Sequence, residues 1–209
     1  MILGRRIVII GAGGHGKVVA ETLIAMGTYE IAGFIDPALA GRTVLGMPVL
    51  GGDEVIPTLR ATGIAMVFVA LGDNHVRQRL GTQFHDLGFS LPTLVHPSAV
   101  VSPSTQLGWG VLVMPLAVIN ADARVGDMVI INSGSIVEHD CEIGAAAHIA
   151  PGCSLGGSVT VGERTLLGVG SSIRPNTRIG ADVVVGAGAA VVADLPDGAQ
   201  AFGMPARQR

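Results

Sequence analysis

The chain has 209 residues, of which 49% are hydrophobic and only 14% are charged, and this composition excludes a disordered segment. The aromatic share of 3% argues against a surface of stacking platforms. The formal net charge of −3 comes without any run of like charge, so neither nucleic acid nor an anionic membrane is an expected partner.

Targeting and metal-binding signals are weak in this sequence. The apolar run at residues 7–10 is too short for a signal peptide or a membrane span, so we expect a cytoplasmic protein. The two cysteines, Cys141 and Cys153, cannot form a disulfide scaffold or a four-ligand zinc site. No H-x-E or C-x-x-C spacing occurs in the sequence, and no metal site is expected.

Residues 1–92 have the pattern of an α/β domain. Buried strands are predicted at residues 5–10, 31–35 and 66–71, and helices at about 17–26 and 75–87. Strands that alternate with helices predict a Rossmann-like parallel sheet whose ligands bind beyond the carboxyl ends of the strands. The segment is long enough for one mononucleotide-binding half, which excludes a two-half dinucleotide dehydrogenase.

A glycine-rich loop follows the first predicted strand and matches the pattern G-x-G-x-x-G. Its glycines are Gly11, Gly13, Gly14 and Gly16. The backbone N–H groups of this loop and the N-terminus of the next helix are predicted to bind phosphate, and a plain strand-to-helix turn is the alternative. Val18 stands where a Walker A motif has Ser or Thr, so ATP hydrolysis is not expected.

Polar residues lie near the same predicted edge. Asp36 ends the second strand at the distance expected for a contact with a ribose or sugar hydroxyl. His15 either contacts the sugar or diphosphate or caps the helix. Asp73 and Asn74 follow another strand, and they either bind the nucleotide or start the next helix.

Residues 93–209 contain a six-residue repeat without insertions. From Val95 to Val191 every sixth residue is Val, Ile or Leu, and four residues after each lies mostly a small or β-branched residue. One large and one small inward residue per six predict a parallel β-helix of triangular cross-section, with three repeats in each coil. Glycines that recur once per coil, from Gly108 to Gly180, are expected to supply positive φ angles at its corners.

The repeat also separates outward residues from inward ones. His139 stands two residues after Val137, at a corner where its side chain points outward. Its imidazole titrates near neutrality and can accept a proton, although an outward histidine can also be merely solvated. Asp140 either orients this ring or is a plain surface carboxylate. Cys141 and Cys153 occupy the small inward position, so both are expected to fill the core rather than act as nucleophiles.

Six segments together resemble one known family. They are Gly-Ala-Gly-Gly-His-Gly-Lys-Val-Val from residue 11, Ile-Asp-Pro at 35–37, Ala-Leu-Gly-Asp-Asn at 70–74, His-Pro-Ser-Ala at 96–99, Glu-His-Asp-Cys at 138–141 and Gly-Met-Pro-Ala at 203–206. The family is the nucleotide-sugar and sialic-acid acyltransferase branch of the hexapeptide acyltransferases. Within it, the chain looks most similar to N-acetyltransferases of the GDP-perosamine type, which act on nucleotide-linked 4-amino-4,6-dideoxy sugars.

This resemblance implies a left-handed β-helix, acetyl-CoA as co-substrate, a UDP- or GDP-linked amino sugar in the N-terminal domain, and a homotrimer with sites between neighbouring β-helices. It implies that His139 is the general base and Asp140 its acidic follower. It places Asn132 and His148 near the acetyl group, and we expect them at the same edge as His139. The destination of the product, in O-antigen, capsule or glycoprotein, stays open.

Gly157 lies one coil beyond His139 in the repeat. We expect its bare backbone to let pantetheine pass and to offer an N–H to the thioester oxygen, with a simple turn glycine as the alternative. Two other functions also stay open at this point. They are an O-acetyltransferase that acts on sialic acid or a related sugar, and a non-catalytic module that binds a sugar nucleotide.

Overall fold

Two units make up the fold, and the computed structural model describes residues 5–208 of the chain. The boundary between the units lies between Leu94 and Val95. The first unit is an α/β layer structure, and the second is a stack of very short strands. No helix within residues 5–208 is long and apolar enough to cross a membrane.

The first unit is built on a five-stranded sheet with the strand order β3-β4-β2-β1-β5. The strands are β1 (Arg6–Ile10), β2 (Glu30–Ile35), β3 (Thr43–Val44), β4 (Met47–Gly51) and β5 (Met66–Val69), and the helices are α1 (Gly14–Met26), α2 (Ile56–Leu59) and α3 (Asn74–Asp86). Strand β1 pairs in parallel with both β2 and β5. The predicted parallel sheet is confirmed, and the carboxyl ends of these three strands lie along one edge.

Local sequence explains most of these elements. Residues 7–10 of β1 are all buried, as expected for a parallel strand that is covered on both faces. Helix α1 ends at Gly27, whose left-handed conformation lets its N–H bond to the carbonyls of Leu23 and Ile24. Between residues 37 and 62 lie β3, β4, α2 and short 3-10 turns, which the alternation pattern did not predict because each is too short to show a period.

The second unit is a parallel β-helix of two-residue strands, β6 to β22, that recur every six residues. From β6 to β19, each strand pairs in parallel with the strand one coil further on, so that Val118 lies beside Ile136. The first face holds β6 (Leu94–Val95), β9 (Leu112–Val113), β12 (Ile130–Ile131), β15 (His148–Ile149), β18 (Leu166–Leu167) and β21 (Val184–Val185). The second face holds β7 (Val100–Val101), β10 (Val118–Ile119), β13 (Ile136–Val137), β16 (Ser154–Leu155), β19 (Ser172–Ile173) and β22 (Ala190–Val191). The third face holds β8 (Gln106–Leu107), β11 (Arg124–Val125), β14 (Glu142–Ile143), β17 (Thr160–Val161) and β20 (Arg178–Ile179).

The interior of the β-helix contains the two residues per repeat that the sequence predicts. From Val113 to Val191, each aliphatic residue of the repeat is at most 4% exposed. The residues at the small inward position of the repeat, which is every sixth residue from Val111 to Ala189, are at most 1% exposed. Each fully buried Val, Ile or Leu side chain contributes about 1.5–3 kcal/mol, so this regular stacking supplies the core. Beyond the repeat, β23 (Gln200–Phe202) and β24 (Arg207–Gln208) extend the first face.

The glycines that recur once per coil have a role different from the one predicted. None of the five, from Gly108 to Gly180, has a positive φ angle. A Cβ atom on Gly126 would lie 2.9 Å from the backbone nitrogen of Ala145 in the next coil. The expectation of positive φ at these positions is therefore wrong. Glycine is needed there because successive coils approach too closely to admit a side chain.

Candidate functional site

The glycine loop of the first unit contains two kinds of glycine. A Cβ on Gly11 would lie 2.8 Å from Cδ2 of Leu71, and a Cβ on Gly16 would overlap the carbonyl oxygen of Gly11. These two glycines are needed for packing. In contrast, a Cβ on Gly13 or Gly14 would meet no atom within 4 Å, and both residues are exposed. The part of the loop at the N-terminus of α1 is thus open to an incoming anion, which a helix N-terminus favours.

Asp36, which directly follows β2, stabilises the glycine loop through hydrogen bonds to its carboxylate. One oxygen of its carboxylate accepts the N–H of Ala12 at 2.9 Å, and the other accepts the N–H of Ala38 at 3.0 Å. The side chain therefore connects the loop after β1 to the turn after β2. The predicted contact with a ribose or sugar hydroxyl stays a prediction, and it would use the remaining acceptor sites of the same carboxylate.

The residues after β5 are also bonded to one another. The Oδ1 atom of Asp73 accepts the N–H of Val76 at 2.9 Å, so Asp73 caps helix α3, which is one of the two roles considered for it. Asn74 is only 8% exposed, and its Oδ1 accepts a hydrogen bond from Arg77 at 2.8 Å. Nucleotide binding by either residue stays a prediction.

His15 lies in the first turn of α1 and is partly buried. Burial, with a smaller contribution from the positive charge of Arg77, lowers its pKa to about 4. The imidazole is therefore neutral near pH 7. Helix α1 has Gly13 at its N-cap and no side-chain cap, so the capping role considered for His15 is wrong. Any contact that His15 makes with a sugar or diphosphate is a contact of a neutral ring.

His139 is exposed at the turn that joins the second face to the third. The side chain is 59% exposed, and its Nδ1 lies 2.8 Å from Oδ2 of Asp140. The hydrogen bond to Asp140 raises the pKa of His139, desolvation opposes this, and the charges of Asp140 and Glu138 add to the increase. With Nδ1–H donating to the carboxylate, Nε2 is left as the basic nitrogen of the neutral ring.

Asp140 has two functions at this corner. Its φ angle is +60°, a left-handed conformation that Asp and Asn adopt more readily than most residues, and its N–H donates to the carbonyl of Ala121. The same residue holds the imidazole of His139 through its carboxylate. Asp140 thus forms the turn and orients the ring.

Gly157 lies directly beneath the imidazole of His139, one coil away. A Cβ at Gly157 would lie 2.5 Å from Cε1 and 2.6 Å from Nε2 of His139. Real Cβ atoms do not approach other atoms this closely, so the ring can occupy this position only because residue 157 has no side chain. The repeat places the two residues one coil apart, but it does not reveal this contact.

Asn132 and His148 form a second polar pair, on the first face of the β-helix. The amide nitrogen of Asn132 lies 3.0 Å from Nε2 of His148, while Oδ1 of Asn132 accepts the N–H of Ser133. The amide nitrogen of Asn132 therefore donates to Nε2 of His148. The expectation that this pair lies at the same edge as His139 is wrong. Along the chain, the second face lies between Asn132 and His139, and the third face lies between His139 and His148.

Both cysteines fill the core, as the repeat predicts. Cys141 and Cys153 are completely buried, and burial raises the pKa of each thiol. A buried thiol with a raised pKa is a poor nucleophile. Within the part of the chain that the structure describes, no group of three or more His, Cys, Asp or Glu side chains has the arrangement of a metal site.

Comparison with known proteins identifies both units. Residues 6–84 match the family described as "PglD N-terminal domain". Residues 122–157 match the family described as "Bacterial transferase hexapeptide (six repeats)". The first match covers the parallel sheet with its glycine loop, and the second covers the coils that carry His139, Asp140 and Gly157.

Individual relatives agree with these matches. Perosamine N-acetyltransferase from Caulobacter crescentus, solved as a histidine-to-asparagine variant with CoA and GDP-perosamine, is 52% identical, has a TM-score of 0.95 and is matched over 100% of this chain and 98% of its own. The acetyltransferase domain of PglB from Neisseria gonorrhoeae is 42% identical, with a TM-score of 0.94 and coverage of 99% of this chain and 100% of that one. UDP-N-acetylbacillosamine N-acetyltransferase from Bacillus subtilis is 38% identical over 52% of this chain, and the match spans only 50% of that protein's length.

An α/β unit with an open glycine loop, followed by a hexapeptide-repeat β-helix that exposes a histidine–carboxylate pair, defines a hexapeptide-repeat acyltransferase. With 52% identity over the whole chain, the protein belongs to the hexapeptide-repeat acetyltransferase family that carries a PglD-type N-terminal domain. The resemblance seen in the sequence is confirmed, and the β-helix is left-handed as in that family.

Proposed function

We propose that this protein transfers the acetyl group of acetyl-CoA to the 4-amino group of a nucleotide-linked 4-amino-4,6-dideoxy sugar. The observation that carries the proposal is the His139–Asp140 pair, seated on Gly157 at an exposed corner of the β-helix. A relative that matches the whole chain was solved with CoA and GDP-perosamine. This supports a GDP-linked sugar of the perosamine type as the substrate, with a UDP-linked sugar as the alternative that the Bacillus subtilis relative suggests.

The proposed reaction is a direct acyl transfer without an acyl-enzyme. The neutral amine attacks the thioester carbonyl, a C–N bond forms, the C–S bond breaks, and CoA leaves as the thiol. The amine loses one proton, which Nε2 of His139 accepts while Nδ1 remains bonded to Asp140, and the imidazolium then donates this proton to the departing thiolate. Because Cys141 and Cys153 are buried in the core, neither serves as a carrier of the acetyl group. We place this reaction in the cytoplasm.

The first unit would hold the nucleotide. Gly13 and Gly14 leave the N-terminus of α1 open, and the helix dipole and the N–H groups of the first turn favour the negative diphosphate. His15 remains neutral and contributes no charge, so the polarity of this edge must come from the backbone and from other side chains.

A CoA-release assay tests the proposed function. GDP- and UDP-linked 4-amino sugars are compared with the corresponding 4-hydroxy sugars at a fixed concentration of acetyl-CoA. Release of CoA with an amino sugar, and an amide in the product by mass spectrometry, is the expected result. Release only with hydroxy sugars would identify an O-acetyltransferase, and tight binding of a sugar nucleotide without any CoA release would identify a non-catalytic module.

Asp140→Asn should move the acid limb of the pH profile to lower pH. Only neutral His139 can act as base, so kcat/KM rises with pH through the pKa of this residue. The carboxylate raises that pKa above its ordinary value of 6.5, and an amide no longer does so. The plateau should also fall, because an amide holds the ring less firmly. The measurement is kcat/KM across the neutral range, with Asp122→Asn as control, since Asp122 occupies the same left-handed corner one coil earlier. An acid limb that stays in place in Asp140→Asn would contradict the proposed role.

Gly157→Ala should lower kcat by about 10–10² because a displacement of the base by about 1 Å can cost this much. The added methyl group would collide with Cε1 and Nε2 of His139 and push the ring away from its position. The control is Gly170→Ala, where the methyl group meets no atom within 4 Å and only backbone strain is added. The two variants are compared by kcat and by melting temperature. Equal kcat values for Gly157→Ala and the wild type would show that the ring does not need this space.

We also propose that the protein is a homotrimer whose neighbouring chains complete the site. Asn132 and His148 lie on the first face, whereas His139 lies beyond the second, so a single chain does not bring these groups together. The second face exposes apolar side chains, with Val100 63% exposed and Ile136 36% exposed. Apolar rows of this kind favour contact with another copy.

Light scattering should give a mass close to three times the 21.2 kDa of one chain. Ile136→Glu places a charge on the second face, so it should shift the mass toward one chain and reduce activity in parallel. A wild-type protein that is fully active as a monomer would contradict the composite site.

A further inference from the structure

Arg77 is a buried cation in the first unit that the proposed reaction does not use. It lies in α3 and is only 2% exposed, which makes it one of the largest fully buried side chains of the described residues. An arginine is rarely buried unless its charge and its N–H groups are paired. The groups around Arg77 therefore indicate the role of its buried charge.

Arg77 donates to three acceptors that lie between the end of β5 and the first residue of α3. One terminal nitrogen donates to the carbonyl of Leu71 at 3.0 Å and of Gly72 at 3.3 Å, and the other donates to Oδ1 of Asn74 at 2.8 Å. Forked donation of this kind fixes a loop more firmly than a single bond, because a planar guanidinium constrains several acceptors at once. Arg77 thus determines the conformation of the loop at residues 71–74.

The loop that follows β5 packs against the glycine loop. At Gly11 a Cβ would meet Cδ2 of Leu71 at 2.8 Å and the carbonyl oxygen of Ala70 at 3.0 Å. The contact is so close that a shift of Leu71 would move or loosen the glycine loop. Arg77 braces the glycine loop on the β5 side, as Asp36 does on the β2 side.

The charge of Arg77 also has an electrostatic effect at the open end of the glycine loop. It contributes to the lowered pKa of His15, after the larger effect of burial. Burial lowers the pKa of Arg77 itself to about 10, which Asp73 partly opposes, so the guanidinium remains protonated near pH 7. A positive charge in a medium of low dielectric constant acts over a longer range than an exposed one. The charge of Arg77 therefore makes a positive contribution to the potential at the edge with the open glycines.

We propose that Arg77 is a positioning residue for the nucleotide diphosphate. It does not contact the diphosphate. It stabilises the loop at residues 71–74 and supplies positive potential at the glycine loop. This inference rests on the proposed function, since the diphosphate of the sugar nucleotide is the anion concerned. It differs from a purely structural role because the loss of Arg77 weakens one ligand and not the other.

The test compares Arg77→Met and Arg77→Lys with the matched control Arg79→Met, which removes a charge from an exposed position on the same helix. Affinity for GDP and for acetyl-CoA is measured by calorimetry, and kcat and KM are measured with the sugar nucleotide. Arg77→Met should weaken GDP about tenfold and raise KM similarly while kcat changes by less than about threefold. Acetyl-CoA affinity and the Arg79→Met variant should remain as in the wild type.

Arg77→Lys keeps the charge but loses the fork, so it should recover part of the lost GDP affinity. The pKa of His15, followed by NMR of its ring proton, should rise in Arg77→Met and stay low in Arg77→Lys. If Arg77→Met does not fold, Arg77→Lys decides alone, and it should bind GDP several-fold more weakly than Arg79→Met does. Wild-type GDP affinity in a folded Arg77→Met, or in Arg77→Lys where only that variant folds, would overturn the inference. A wild-type protein that binds neither GDP nor UDP would instead contradict the proposed function.

Discussion

His139→Ala should lower kcat by about 10²–10⁴, which is the usual worth of a general base. In the wild type, Nε2 of His139 takes the proton that the attacking amine loses, and alanine offers no acceptor. The ring is exposed, so its removal should leave the fold and the affinity for acetyl-CoA nearly unchanged. The acid limb in kcat/KM that comes from this ring should disappear or move to the pKa of the sugar amine.

The measurement is steady-state kinetics at several pH values, together with calorimetric binding of acetyl-CoA. His85→Ala is a matched control, since it removes another exposed histidine that lies outside the proposed site. Cys141→Ser tests the absence of an acyl-enzyme and should keep most of the activity once any loss of packing is allowed for. If His139→Ala retains more than about a tenth of the wild-type kcat at neutral pH, His139 is not the base.

Much of the fold follows from the sequence because the repeat restricts the chain so strongly. A residue that recurs every six positions from Val95 to Val191 can be buried in one way only, as a regular stack of coils. The outward direction of His139 and the inward direction of Cys141 follow from their places in this register. The parallel sheet follows in the same way from buried strands that alternate with helices.

The parts that could not be predicted depend on contacts between coils or between loops. The period indicates that Gly157 lies one coil from His139, but not that the imidazole occupies the space that a Cβ of residue 157 would need. The family resemblance groups Asn132 and His148 with His139, although in one chain the second and third faces separate this pair from His139. The bracing by Asp36 and Arg77 joins residues from separate loops, and no local pattern records such a connection.

The glycines of the glycine loop fall into two groups, those that are needed for packing and those that face open space. The sequence treats the four glycines of this loop alike, whereas the structure separates Gly16, which packs against the backbone of Gly11, from Gly13 and Gly14, which face open space. A substitution at Gly16 tests folding, because a side chain there has no room. A substitution at Gly14 tests what occupies the space in front of α1.

Gly14→Val should weaken binding of the sugar nucleotide by about 10–100-fold, because charge-assisted hydrogen bonds to a phosphate contribute about 1.5–3 kcal/mol each. The added side chain meets no protein atom within 4 Å and fills the space in which the diphosphate is proposed to lie. Affinity for acetyl-CoA should stay at its wild-type value, and the melting temperature should change little. The control is Ala25→Val, which adds the same side chain to an exposed position of α1, far along the helix from the loop. Gly16→Ala, in contrast, should lower the melting temperature clearly, since its Cβ overlaps the Gly11 carbonyl. Calorimetry with GDP, UDP and acetyl-CoA separates these effects. A folded Gly14→Val that binds the nucleotides as tightly as the wild type would mean that the diphosphate lies elsewhere, and the binding site would have to be sought away from the glycine loop.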